Sequence, residues 1–241
     1  MINPKDFDLN TFILGKPLNL KTKDLEILEK ELEISSRVKK CFCLIAPPGT
    51  GLESFLRPYK DANPEQVFIC NCQGMTVETI FGDLMMQIGF GHKLVNWYET
   101  PVSNIVEALI YFLHETNNRT ILIFNHCDNM KLPQFRDLLS AFTRFKGQAG
   151  IMFRITPSMG TKIINSSDPA LRHHIAQLGK LEIGYPTPEQ LLLSCHENGI
   201  ISRSVAEGIV KDTLDFDVVC SRVETLRSEV RDYIQKNVKQ N

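Results

Sequence analysis

The sequence predicts an α/β domain, a five-stranded parallel sheet flanked by helices, followed by a small all-helical lid. Three observations carry this expectation. Apolar runs of strand length alternate with stretches whose apolar residues recur at helical spacing. The first run ends in a glycine-rich loop that opens a helix, and after Pro186 the strand-like runs stop.

Residues 23–32 place Leu25, Ile27, Leu28 and Leu32 at helical spacing with charges between. Residues 38–46 contain CFCLIA, a continuous apolar run that suits a central strand buried on both faces. It ends in Pro47-Pro48-Gly49-Thr50-Gly51, and a helix-like stretch follows to about residue 59. QVFICNC at 66–72 reads as the second strand. Thr76 then opens a helix with Val77, Ile80, Leu84 and Ile88 on one face, ended by Gly89. Residues 103–115 form another amphipathic helix, and RTILIFNH at 119–126 a third buried strand. Residues 132–145 are helical with Pro133 in the first turn; GIMFRIT at 150–156 is the fourth strand, stopped by Pro157, and 181–184 a short fifth. Strands separated by helices imply right-handed βαβ units in a parallel sheet.

The lid reads as three helices, at 188–196, 202–212 and 215–238. The last carries a stripe of Val218, Val219, Val223, Leu226, Val230 and Ile234. The expected division is therefore a core at 1–185, with its N-terminal helix, and a lid at 186–241.

The chain of 241 residues is long enough for one such domain, or for a core of about 150–180 residues plus a lid. Its net charge of −1 supplies no bulk basic field, so DNA binding would need a local patch. The absence of a long apolar run predicts no membrane span, and the N-terminus MINPKDFDLN has no apolar signal segment. A cytoplasmic protein is expected. Seven cysteines is an odd count for a disulfide-stapled fold. Cys41, Cys43, Cys70 and Cys72 lie in apolar runs and read as reduced, buried thiols; zinc ligands prefer loops and wider gaps.

A strand–loop–helix unit with glycines in the loop is where backbone N–H groups cradle phosphate at a helix N-terminus. The loop here, Ala46-Pro47-Pro48-Gly49-Thr50-Gly51-Leu52-Glu53-Ser54, resembles the AAA+ form of the Walker A motif, GPPGTGKT, in five consecutive residues. The resemblance implies a P-loop NTPase fold with ATP or ADP as its ligand. Its chemistry departs from the pattern. Leu52 stands where a lysine reaches the phosphates, and Glu53 where a hydroxyl binds magnesium. Glu53 would add repulsion of about 4 kcal/mol at 4 Å and an effective dielectric near 20. Ser54 comes one residue late, about 100° around the helix. Arg57 reads as a solvated helix charge.

Walker B is an apolar strand ending in Asp-Glu. The strand TILIF is present, but the two acids are replaced by Asn125 and His126, with Asp128 in a turn or cap position beyond them. Phosphoryl transfer rests on positioning and charge neutralisation, so four replacements on two segments predict negligible hydrolysis.

The order of features is similar to that of the small DNA-transposition ATPases, the phage Mu B protein and its TniB- and TnsC-like relatives. That resemblance runs from about residue 38 to 232, with PPGTG its one specific motif. It implies a sensor at Thr156, which otherwise simply caps or closes a strand. It also implies an arginine finger at Arg172, which beside His173 and His174 equally reads as a surface helix cluster. The second sensor would fall near 216–219, where no arginine stands; Arg222 is a turn later. Trp97 and Tyr98 read as a core-covering pair or a stacking platform.

The implied nucleotide-binding positions are Pro47, Pro48, Gly49, Thr50, Gly51, Leu52, Glu53, Asn125, His126, Thr156 and Arg172, with no catalytic residue and no metal ligand. Three functions follow. One is a non-catalytic assembly factor whose partners are DNA, a recombinase or transposase, or copies of itself as a homo-oligomer, keeping weak nucleotide binding or none. A second is a working NTPase using Arg57, Asp128 and His126. The third is an interaction scaffold that binds neither DNA nor nucleotide.

Overall fold

The computed structural model describes residues 3–13, 18, 20–89, 101–116, 119–145 and 147–238. In chain order the elements are α1 (Leu9–Ile13), α2 (Lys23–Val38), β1 (Cys41–Ile45), α3 (Leu52–Ala62), β2 (Val67–Asn71), α4 (Val77–Gln87), α5 (Val102–Thr116) and β3 (Ile121–Asn125). They continue with α6 (Leu132–Phe142), β4 (Gly150–Ile155), α7 (Pro157–Ile164), α8 (Pro169–Ala176), β5 (Gly179–Glu182), α9 (Pro188–Glu197), α10 (Arg203–Val210) and α11 (Phe216–Val238).

Two compact units share this chain. Met1–Glu26, Pro48–Arg57 and Gly184–Asn241 make up the first, and Ile27–Pro47 and Pro58–Ile183 the second. The second holds the sheet, ordered β2-β3-β4-β1-β5 with every pair parallel. The expected five-stranded parallel α/β architecture is the one observed. β3 and β4 are buried along their whole length, as their unbroken apolar runs require. Around them stack Phe81, Phe124, Phe135, Phe142, Phe145 and Phe153, with Phe124 and Phe142 centroids 4.4 Å apart.

Polar side chains set the helix starts. Thr76 accepts from the Thr79 N–H, Thr156 from Met159, Thr187 from Gln190, and Asp168 from Ala170 and Leu171. Pro157 stops β4, as expected, and also opens α7, because a proline at the first helical position loses no hydrogen bond. Pro58 lies inside α3, so the helix runs past the expected end to Ala62.

The first unit packs α1, α9, α10 and α11 around Phe12, Leu191, Phe216, Val219 and Val223. Its most buried charge is Arg227, 2% exposed, which donates to the Phe12 carbonyl at 3.0 Å and to Asn198 Oδ1 at 3.3 Å and pairs with Glu224. Arg222 closes the end of α10 by donating to the carbonyls of Ile209 and Lys211 at 2.6 and 2.7 Å. Its role is structural.

All seven cysteines are free. Five are buried; burial pushes the Cys43 thiol up to about 12, against a smaller opposing pull from Lys180, and raises Cys195 to about 11. Among the described residues no cluster of His, Cys, Asp and Glu is suited to a metal, and no helix is long and apolar enough to cross a membrane.

Candidate functional site

The glycine-rich loop joins β1 to α3. Gly49 and Gly51 both adopt the left-handed region, φ 78° and 79°, which explains two glycines one residue apart. The Phe55 N–H donates to the Gly51 carbonyl at 3.1 Å, starting α3 at the loop. Pro48 is exposed and Pro47 half-buried, whereas Gly49, Thr50, Gly51 and Leu52 are all buried. Leu52, at the lysine position, is 1% exposed and belongs to the apolar packing, while Glu53 and Arg57 face solvent. Thr50 is also 1% exposed, and among the described residues its Oγ1 has no hydrogen-bond partner.

A second arrangement stands at the C-terminal ends of β3 and β4. Asn125, 4% exposed, accepts from the Cys72 N–H through its carbonyl at 2.8 Å. Its Oδ1 accepts from the His126 N–H at 3.2 Å and from Arg154 Nη1 at 3.1 Å. His126 takes a left-handed φ of 58°, uncommon for a non-glycine residue, and its ring nitrogens lie 3.3 and 3.5 Å from the same Arg154 Nη1. Arg154 is 4% exposed and comes from β4. A guanidinium is always charged, so one elementary positive charge sits among Asn125 and His126. Asp128 lies in the 3₁₀ turn beyond β3, with Oδ1 buried and, among the described residues, without a partner.

Sequence reasoning singled out Asn125 and His126 and missed Arg154, which the structure places against both. Its signal was a lone charge inside the apolar run GIMFRIT. Thr156, two residues after Arg154, caps α7 through its hydroxyl at 3.4 Å. Arg172 is exposed on α8, beside the His173–Gln177 contact at 2.9 Å. Trp97 and Tyr98 lie outside the described residues.

No protein-family model matches the chain, and no curated protein matches its sequence. Solved structures do. Cdc6p from Pyrobaculum aerophilum aligns with TM-score 0.64 at 14% identity, covering 95% of this chain and 67% of that one. The Aeropyrum pernix ORC1 protein, solved in complex with DNA, gives 0.60 at 15%, covering 100% and 74%. The replication initiator DnaA, bound to AMPPCP and single-stranded DNA, gives 0.55 at 11%, covering 100% and 70%. The fold is AAA+. The loop at 47–53 follows β1, and Asn125–His126 stand at the end of β3, the strand contexts the sequence implied. The tip of β3 presents an amide and an imidazole beside a buried guanidinium.

Proposed function

We propose that this chain is a pseudo-ATPase of AAA+ fold that acts by assembly, not by hydrolysing ATP. The observation that carries the reading is Arg154, whose guanidinium donates to Asn125 at the Walker B position. Replacing Asp-Glu by Asn-His removes two negative charges, and Arg154 adds a positive one. A divalent cation has no carboxylate to meet at those two positions and a fixed cation beside them. ATP or ADP, where bound, is held by the loop at 47–53 without a metal, with Thr156 and Arg172 as further contacts, and is not turned over.

The partners we assign are DNA and copies of the chain itself, with a recombinase or transposase as the protein delivered or restrained, in cytoplasmic DNA metabolism of a mobile element. Support for DNA comes from two similar structures, ORC1 and DnaA, solved with DNA. The core at 1–185 and lid at 186–241 are the working division in this reading. Gel shifts at low and high salt, with light scattering on the same samples, test it. Salt-sensitive DNA binding with growth in particle mass, unchanged by EDTA, is expected. A monomer without DNA affinity would leave the scaffold reading instead.

One observation favours a second reading. The buried Oδ1 of Asp128 is a carboxylate oxygen suited to a cation, as an NTPase using Arg57, His126 and Asp128 would need. That reading requires magnesium-dependent turnover abolished by Asp128→Asn and by Arg57→Ala.

A further inference from the structure

The loop that ought to lie open to phosphate is covered by the chain's own residues, all from the first unit. A Cβ on Gly49 would stand 2.3 Å from Asp215 Cγ and 2.4 and 2.5 Å from its two carboxylate oxygens. Glycine at 49 thus permits two things at once, a left-handed backbone and the close approach of an oxyanion. The oxyanion here is a side chain. The next residue continues the contact, because the Phe216 N–H donates to the Gly49 carbonyl at 2.8 Å. Gly51 is covered in the same way: a Cβ there would lie 2.5 Å from Leu20 Cδ2 and 3.2 Å from Phe216 Cδ1. Leu20 and Phe216 are 3% and 0% exposed. Beneath them Thr50 keeps a buried hydroxyl with no partner among the described residues, a polar atom left unsatisfied by this closure.

Asp215 is held where it is by its own helix. Its Oδ1 accepts from the N–H groups of Asp217 and Val218 at 2.9 and 3.2 Å, capping α11 at the end where the helix dipole favours a negative group. The 23 residues of α11 follow, anchored by buried Val219, Val223, Arg227 and Val230. The carboxylate is therefore part of a stable helix start and not a passing contact.

We propose that the start of α11 is the resident occupant of the phosphate cradle: Asp215 and Phe216, with Leu20, latch the loop, and a phosphate-bearing ligand reaches its N–H groups only when the latch is released. This rests on reading the loop as a former phosphate cradle and adds a regulation to it. Ligand and latch exclude each other for two reasons, shared space over Gly49 and Gly51 and like charge at Asp215. Movement of α11 would then control access to the loop.

The test is calorimetric titration of ATP, with and without magnesium, into the full chain and into Asp215→Asn and Asp215→Ser. Asparagine keeps the size and the cap and removes the charge, and serine keeps the cap and also empties the space. Affinity should rise from wild type through Asn to Ser, reaching about tenfold or more for Ser. Amide exchange at 49–52 should be slow in wild type and faster in both variants. Equal affinity in all three proteins, absence of ATP binding in the variants, or unchanged exchange overturns the latch. Phosphate release from the same samples separates it from the assembly reading: variants that bind and rapidly hydrolyse ATP keep the latch and end the pseudo-ATPase. A folded Asn variant, checked by melting, carries the test where Ser unfolds.

Discussion

The glycine-rich loop after β1 and the tip of β3 are held in different ways. The loop has two glycines in left-handed geometry and is packed against Leu20, Asp215 and Phe216. Strand β3 is buried and paired in parallel, and at its tip Arg154 sets a positive charge beside Asn125 and His126. Packing depends on the backbone shape of both. In the loop the constraint is steric, and at the strand tip it is a hydrogen-bonded charge.

The largest effects should come from breaking the steric half. Gly49→Ala and Gly51→Ala each combine a left-handed φ with a Cβ closer than 3 Å to a neighbour, and should cost about 3 kcal/mol or more in urea unfolding. Gly74, φ 68° with open space around it, is the control, and Gly74→Ala should cost about 1 kcal/mol. Equal losses at all three would show that strain alone, without close packing, keeps the loop glycines.

The charged half breaks next. Arg154→Leu should destabilise by about 2–4 kcal/mol, since Asn125 loses a buried donor. Asn125→Leu should cost a similar amount by depriving a buried guanidinium of an acceptor. The double variant should lose clearly less than the sum, which is the signature of a direct pair. Additive losses would separate Asn125 from Arg154.

How much of this was legible follows from the range of each interaction. Strands β1 to β5 and most helices were readable because CFCLIA, QVFICNC and TILIF are local apolar runs, and Thr76 and Pro133 are local start signals. Sheet order was not, because neighbouring strands such as β1 and β4 pair across more than a hundred residues. α7 escaped because Thr156-Pro157 reads equally as a strand stop and a helix start. Arg154 was hidden by the run around it, whose apolar character fixed its strand and masked its charge. The approach of Asp215 to Gly49 joins positions 166 apart and leaves no local mark.

A smaller, pH-dependent effect sharpens the fold side of the comparison. Buried Cys43 titrates near 12, while an unfolded thiol titrates near 9. The folded state therefore holds its proton longer. This thiol's contribution is fully present below about pH 9 and is lost as pH rises from there toward 12, by roughly 1 kcal/mol per pH unit within that window. Melting of Cys43→Ala between pH 8 and 10 should show a shallower alkaline decline than wild type. Smallest of all, Arg57→Ala on the exposed face of α3 should change stability by no more than about 0.5 kcal/mol and leave nucleotide behaviour untouched.

Phosphate release from ATP by the full chain with magnesium distinguishes a cradle that cannot carry out phosphoryl transfer from a working one. A pseudo-ATPase releases phosphate at a rate indistinguishable from buffer, unchanged by Asn125→Ala. Sustained magnesium-dependent release that Asn125→Ala abolishes would contradict that reading.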